Sequence, residues 1–267
     1  MRVAAIQMCS TDDLAANLAS AAQLVEEAAR GGATLVGLPE NFAFLRNEGA
    51  PIPCAQPLEG EIVETLRKLA RAHSLWLLGG SFAERIAGES RVHNTSVLVA
   101  PDGSLAAVYR KVHLFDVDLS AQGGARHQES ARVAPGADVV MAETPFGGLG
   151  LSVCYDLRFP ELYRALSARG ARFLLVPSAF ARETGRDHWE VLLRARAIEN
   201  QCFVIAPAQW GRHSAERSSH GRASIVDPWG VLLGVAPDRP AVVLADCDLE
   251  QQERIRATLP ALAHRRL

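Results

Sequence analysis

Two apolar periods alternate along the whole chain. Residues 2–8 are mostly apolar, as is typical of a strand, and residues 14–28 place apolar side chains at helical spacing until Gly31 and Gly32 end the pattern. Further strands are predicted at 34–38, 75–79, 93–100, 105–109, 138–141, 149–153, 173–176, 202–206, 223–226, 231–235 and 242–247, and further helices at 60–73, 160–169 and 186–200. The sequence therefore predicts an α/β protein.

The connections between these elements indicate one domain, residues 1–267. Asp102-Gly103 between two strand patterns predicts a hairpin, and residues 120–126 are expected to form a glycine-rich loop. No Pro/Ser-rich linker and no block of like charge divides the chain. The strands are too many for one doubly wound sheet, so we expect two sheets packed face to face with helices outside both.

Composition narrows the class of partner. The net charge of −2 favours neither nucleic acid nor an anionic membrane surface, and no apolar run approaches the ~20 residues that span a bilayer. The apolar start, residues 1–8, is too short for a secretory segment. Five cysteines, an odd number without a CxxC pair, indicate a reduced, cytoplasmic protein.

Metal and nucleotide cofactors are not expected either. The eight histidines show no HxH, HExxH or Cys/His spacing, and Gly147–Gly150 lacks the Lys-Ser/Thr ending of a phosphate loop. The sequence therefore predicts an activity with no metal and no cofactor.

Three reactive side chains stand where predicted strands end. Glu40 follows a strand and Pro39, Lys111 closes a hairpin strand, and Cys154 lies at a turn before a helix that begins with Pro160. We expect the bend to expose the thiol of Cys154 and the nearby helix N-terminus to favour its thiolate form.

The three side-chain types fit one reaction. A thiolate attacks an electron-poor carbon, a carboxylate moves protons to the leaving amine and from water, and a lysine stabilises the oxyanion beside backbone N–H groups. The set thus indicates hydrolysis of an amide through an acyl-enzyme. Taken singly, Glu40 and Lys111 also fit exposed surface charges, and Cys154 fits a core residue or a redox-sensing thiol.

Together the segments LPENF at 38–42, YRKVHL at 109–114 and VCYDLRFPE at 153–161 resemble the three signature boxes of the nitrilase, or carbon–nitrogen hydrolase, superfamily. The resemblance implies that Cys154 is the nucleophile, Glu40 the general base and Lys111 the oxyanion stabiliser. It also implies a second glutamate, Glu129, that orients Lys111. The implied fold is an αββα sandwich, which family members commonly pair into a homodimer.

The second half of the chain resembles the Nit branch of that superfamily, through residues 187–201 and 208–213. The implied reaction is the hydrolysis of deaminated glutathione, a metabolite-repair step. The alternatives are an ω-amidase acting on 2-oxoglutaramate, an N-carbamoyl amine hydrolase, and a non-catalytic binding protein on the same fold.

An anionic substrate calls for fixed cations, and arginine offers a bidentate fork for a carboxylate. The arginines that follow predicted strands are Arg158, Arg182, Arg186 and Arg212. The residues predicted to contact the substrate are Tyr155, Arg158, Phe44, Phe180 and Thr184.

Overall fold

The computed structural model describes residues 1–47 and 50–266, so Glu48, Gly49 and Leu267, the last residue of the predicted domain, lie outside it. The strands of the described part are β1 Arg2–Met8, β2 Leu35–Gly37, β3 Trp76–Leu78, β4 Phe82–Arg85, β5 Val92–Val99, β6 Leu105–Arg110, β7 Asp116–Asp118, β8 Arg126–Gln128, β9 Met141–Ala142, β10 Gly148–Leu151, β11 Ala171–Leu175, β12 Phe203–Ala206, β13 Ala208–Arg212, β14 Ser218–His220, β15 Ser224–Val226, β16 Leu232–Val235 and β17 Ala241–Asp246. The α-helices are α1 Leu14–Arg30, α2 Glu61–His73, α3 Pro160–Ala168, α4 Arg182–Asn200 and α5 Leu249–Thr258.

The strands form two large sheets. In the first sheet, β1 is central and pairs in parallel with β2 and antiparallel with β17. The order continues from β2 through β3 to β5, and β5 also pairs with β4 and with β6. The second sheet runs β16-β15-β12-β11-β10-β9, with β10, β11 and β12 parallel. A separate two-stranded ribbon joins β7 and β8.

The packing of strand β1 explains why its sequence is apolar from Val3 to Ile6. Val3 and Ala5 point into the apolar layer between the two sheets, where they share a core with Leu151, Phe173 and other residues of the second sheet. The intervening Ala4 and Ile6 point to the opposite face, against α1 and α2. Because successive side chains of a strand face opposite sides, a strand buried on both faces is apolar at every position.

Helices cover the outer faces of both sheets. Helices α1 and α2 pack on the first sheet, and α3 and α4 pack on the second through buried residues such as Tyr163 and Trp189. The layers therefore run helix, sheet, sheet, helix, which confirms the predicted sandwich.

Several elements differ from the sequence prediction. Helix α4 begins at Arg182 rather than at 186, and the predicted strand 138–141 is reduced to β9, whereas the expected glycine-rich loop 120–126 does connect β7 to β8. Strands β4, β7, β8, β13 and β14 and helix α5 were not predicted. These elements are polar or short, and they form because neighbouring strands and loops hold them, which local periodicity does not report.

Candidate active site

Cys154 begins a 3-10 helix, Cys154–Arg158, three residues after β10 ends. Its backbone is left-handed, with φ of 50°, and its N–H donates to Pro177 O at 3.0 Å. A non-glycine residue in this region carries a conformational cost that is typically found at functional sites. The expected exposure of the thiol is wrong: Cys154 is 7% exposed, because the turn lies under the loops that enclose a pocket.

A buried carboxylate, Asp156, holds the cysteine turn in place. Its Oδ2 accepts from Val153 N–H at 2.8 Å and from the Tyr109 hydroxyl at 2.7 Å, and its Oδ1 accepts from His113 N–H at 3.0 Å. Tyr109 belongs to β6, the strand that ends one residue before Lys111. The turn that carries the cysteine is thereby tied to the strand that carries the lysine.

Glu40, Lys111 and Glu129 form one cluster of charged side chains. Lys111 Nζ lies 3.1 Å from Glu40 Oε1 and 2.9 Å from Glu129 Oε2. Glu40 Oε2 accepts from Ala179 N–H at 2.8 Å, and Glu129 Oε2 accepts from Phe115 N–H at 2.7 Å. Glu40 and Lys111 are 3% and 2% exposed, so this cluster is almost free of solvent screening.

Cys154 lines the same cavity as this cluster, and its thiol interacts with the Glu40 carboxylate. All four residues predicted from the sequence to carry the chemistry are therefore brought together. They come from the ends of β2, β6 and β10 and from the 3-10 helix that follows β8.

Asn94 is a member of the cluster that sequence reasoning missed. It lies on β5, is 4% exposed, and donates from Nδ2 to Glu40 Oε1 at 2.9 Å and to Glu129 Oε1 at 3.2 Å. The available signal was a polar stretch, His93 to Ser96, inside a strand that is otherwise apolar and buried.

Burial and charge set the protonation of the cluster. Burial alone raises the pKa of Glu40, but the Lys111 ammonium and hydrogen bonds from Cys154, Lys111 and Ala179 outweigh it, so the pKa ends below its usual value. Burial alone lowers the pKa of Lys111, and the carboxylates of Glu129 and Glu40 reverse this and raise it well above its usual value. Glu40 is therefore ionised and Lys111 charged at neutral pH.

The pKa of Cys154 moves opposite to the sequence expectation. Burial raises it first, and the neighbouring Glu40 carboxylate raises it further, well above the usual thiol value despite the opposing effect of Lys111. The resting pair is thus a neutral thiol beside an ionised carboxylate. The helix N-terminus does not produce a thiolate here, because a second negative charge beside Glu40 in a buried site is too unfavourable.

The cluster lines a cavity of about 150 Å³. Four of the residues predicted to contact the substrate, namely Phe44, Tyr155, Phe180 and Thr184, line it as well. Arg158, the fifth, lies behind this wall: its guanidinium is 5.0 Å from the centre of the Phe180 ring, and its Nη1 is 3.2 Å from His188 Nδ1.

The other candidate arginines face a different surface. Arg182, Arg186 and Arg212 line a neighbouring groove, whereas the arginines in the wall of the cavity are Arg46 and Arg217. Arg217 Nη1 donates to Arg46 O at 2.6 Å, which joins two loops far apart in sequence. Neither loop has a periodic sequence pattern, so the local sequence did not indicate that these two arginines line the cavity.

Among the described residues, no group of three or more His, Cys, Asp or Glu side chains has the arrangement of a metal site. Within the same residues, no helix is both long and apolar enough to cross a membrane.

Comparison with known protein families identifies the family of this chain. The model of the carbon-nitrogen hydrolase family matches residues 2–257. The chain belongs to this family, and it is an enzyme that hydrolyses carbon–nitrogen bonds of the amide type.

Individual relatives give a finer picture. A deaminated glutathione amidase of Synechocystis sp. is 47% identical over 265 residues, covering 98% of this chain and 97% of the relative. A human protein of the same name is 44% identical over 270 residues, covering 99% of this chain and 82% of the relative. The crystal structure of the C. elegans NitFhit protein superposes with a TM-score of 0.90 at 38% identity over 99% of this chain, which spans 65% of that longer protein.

Proposed function

We propose that this chain is a cysteine-dependent amidase that hydrolyses deaminated glutathione. The observation that carries the mechanism is the arrangement around Glu40, whose carboxylate accepts a hydrogen bond from Lys111 and lies beside the Cys154 thiol inside one cavity. The substrate assignment rests on the relatives of that name at 47% and 44% identity.

In the first half-reaction the Cys154 sulfur attacks the amide carbon as Glu40 takes the thiol proton. The developing oxyanion is stabilised by the Lys111 ammonium and by the N–H of Tyr155, one of the N-terminal groups that a helix leaves without an internal partner. Glu40 then gives its proton to the leaving nitrogen. The C–N bond breaks, and a thioester on Cys154 and a free amine remain.

In the second half-reaction Glu40 takes a proton from water, and the hydroxide equivalent attacks the thioester carbon. The C–S bond breaks, the carboxylic acid leaves, and the proton returns to the Cys154 sulfur. Glu129 keeps Lys111 in place through contacts at 2.9 and 3.2 Å and is itself fixed by Phe115 N–H. Lys111 therefore stays charged and stationary while Glu40 gains and loses a proton.

The cavity wall contains cations that can pair with an acid, beside the carboxylates of Glu183 and Glu216. Deaminated glutathione has a carboxylate at each end, and Arg46 and Arg217 provide two guanidinium groups at the wall. Phe44 and Phe180 provide apolar surface for the carbon chain between the charges.

The test compares the hydrolysis of deaminated glutathione, 2-oxoglutaramate, N-carbamoyl amino acids and simple nitriles. Formation of 2-oxoglutarate is measured for the first two, and release of ammonia for the last two. We expect the highest kcat/KM with deaminated glutathione. Cys154→Ala should abolish turnover. Cys202→Ala should retain it, because Cys202 is a buried core residue next to β12. Turnover by Cys154→Ala would overturn the mechanism, and preference for another substrate would overturn only the substrate assignment.

We further propose that residues 1–267 are one catalytic domain, that the protein is cytoplasmic, as its odd number of cysteines suggests, and that it acts as a homodimer. The support for a dimer is an apolar patch on the outer helix layer: Val191, Ile198, Trp229 and Val231 are 65%, 50%, 57% and 50% exposed. Arg194 Nε donates to Gly230 O at 2.8 Å, so α4 and the turn before β16 form one surface. A second copy seated there would bury it and stack the two sandwiches helix to helix.

A further inference from the structure

Asn94 bridges the two glutamates of the cluster from β5, the strand paired with β6, and its backbone carbonyl accepts the Lys111 N–H at 2.9 Å. Both of its Nδ2 contacts, at 2.9 Å to Glu40 and 3.2 Å to Glu129, are made to carboxylate oxygens. An amide nitrogen has two hydrogens, so it can give one to each carboxylate. These contacts fix the orientation of the amide, since a flip would turn its oxygen toward two negative groups.

The oxygen of the same amide is left without a partner. Asn94 Oδ1 is enclosed by protein and makes no hydrogen bond in the described structure. A buried acceptor without a donor is unfavourable, so this placement does not by itself stabilise the strand. The benefit must lie in what the nitrogen does for the two carboxylates.

A neutral donor suits a carboxylate that must change charge. Two carboxylates within reach of one amine repel each other, and a second ammonium in place of Asn94 would hold Glu40 so strongly in the ionised form that it would be a poor base. An amide stabilises both carboxylates by hydrogen bonds and adds no charge.

We propose that Asn94 is a positioning residue for the acid–base step, which holds Glu40 beside the Cys154 thiol and separates its proton transfers from Glu129. This inference rests on the proposed role of Glu40 as the general base. The ionisable groups that surround Glu40 are Lys111, Cys154 and, across Asn94, Glu129, with His93, His127 and Tyr155 farther along the cavity wall.

The principal test is Asn94→Asp, which keeps the shape of the side chain and replaces the donor by a third carboxyl group. A like charge disfavours ionisation, so the cluster should take up a proton at higher pH whichever carboxyl receives it. We expect the acidic limb of kcat/KM to move up by about one pH unit or more, and kcat at the plateau to fall about 10-fold or more with little change in KM. Asn94→Ala, which removes the donor without adding charge, should shift the limb in the same direction by less.

The chain offers a matched control in Asn200. It is fully buried at the end of α4, donates from Nδ2 to Glu199 Oε1 at 3.3 Å, and also has an unpartnered Oδ1. Asn200→Asp should lower stability but leave the acidic limb in place. An unmoved limb in both Asn94 variants would overturn the inference.

A second measurement keeps this inference separate from the proposed function. Carbon-13 NMR titration of the glutamate carboxyls, with Glu40 assigned by Glu40→Gln, reports the Glu40 pKa in the absence of substrate. It should be higher in both Asn94 variants than in the parent protein. An active parent enzyme with an unchanged Glu40 pKa in the variants would refute the role of Asn94 alone, whereas a shifted pKa in a protein that turns over no amide would refute the proposed function alone.

Discussion

The Tyr109 hydroxyl donates a 2.7 Å hydrogen bond to Asp156 Oδ2, and both residues are fully buried. Tyr109 lies on β6 of the first sheet, and Asp156 lies in the 3-10 helix that follows β10 of the second. The contact therefore joins the two sheets at the point where each contributes one reactive side chain. It fixes the separation of Lys111 from Cys154.

Tyr109→Phe should lower both stability and turnover. The ring still fills its site, but Asp156 loses one of its donors, and hydrogen bonds to a buried charged group contribute about 1.5–3 kcal/mol. We expect a loss of that size in the free energy of unfolding, measured by urea denaturation. We also expect kcat to fall while KM stays close to the parent value, since the cavity wall is unchanged.

Tyr163→Phe provides the comparison. Tyr163 is equally buried, but its hydroxyl lies 2.8 Å from the neutral Ser152 Oγ. Removing a neutral hydrogen bond should cost about 1 kcal/mol and leave kcat unchanged. Equal losses of kcat in the two variants would contradict a specific role for the Tyr109–Asp156 contact.

The rate should be flat over a wide pH range. Glu40 must be ionised to accept the thiol proton, so activity is lost as the pH falls through its pKa, which lies below the ordinary 4.5. Cys154 must start as a thiol, so the opposite limb follows its pKa, which lies above the ordinary 9.0. We expect a plateau of kcat/KM from about pH 5 to about pH 9 in a constant-ionic-strength buffer series. An inflection near pH 6.5, the range of an ordinary histidine, would contradict a glutamate base.

The sequence predicted those reactive residues whose positions are set by the local pattern of a strand and its end. Glu40, Lys111 and Cys154 each lie within three residues of the end of a strand, and the carboxyl ends of strands in an α/β fold are where sites form, so local patterns indicated all three. The ionisation state of Cys154 was predicted wrongly because it depends on Glu40, which is 114 positions away in the chain but adjacent in space.

The residues that the sequence did not indicate are placed by tertiary structure. Asn94 acts through two partners on other elements, and Arg217 reaches the cavity because its loop folds back onto Arg46. Arg182, Arg186 and Arg212 were expected near the substrate because they follow predicted strands, but helix α4, which carries the first two, and strand β13, which carries the third, place them in the adjacent groove. Contacts between segments that are far apart in the chain, rather than local periodicity, decide which arginine reaches the cavity.

Arg217→Ala should weaken the use of an anionic substrate. A charge-assisted hydrogen bond to a carboxylate is worth about 1.5–3 kcal/mol, so kcat/KM should fall about 10- to 100-fold, mostly through KM. Arg212→Ala is the control, because Arg212 lies in the groove and donates to Ser214 O and Ala215 O. An ester or amide derivative without the substrate carboxylates should show no difference between the two variants. A loss of equal size with the neutral derivative would show that Arg217 only supports the loop.

The apolar patch of α4 and the turn at Trp229 gives a prediction about assembly. Placing a charge in the middle of a face that a second copy buries is strongly unfavourable, so Val191→Asp and Trp229→Asp should each shift the protein from dimer toward monomer. Sedimentation equilibrium across a range of concentrations measures this directly, with a monomer mass of 28.8 kDa as the lower limit. Leu259→Asp is a suitable control, since Leu259 is also 50% exposed but lies at the end of α5 and is not part of the patch. A parent protein that sediments as a monomer, or patch variants that dimerise as tightly as Leu259→Asp, would exclude this face as the dimer interface.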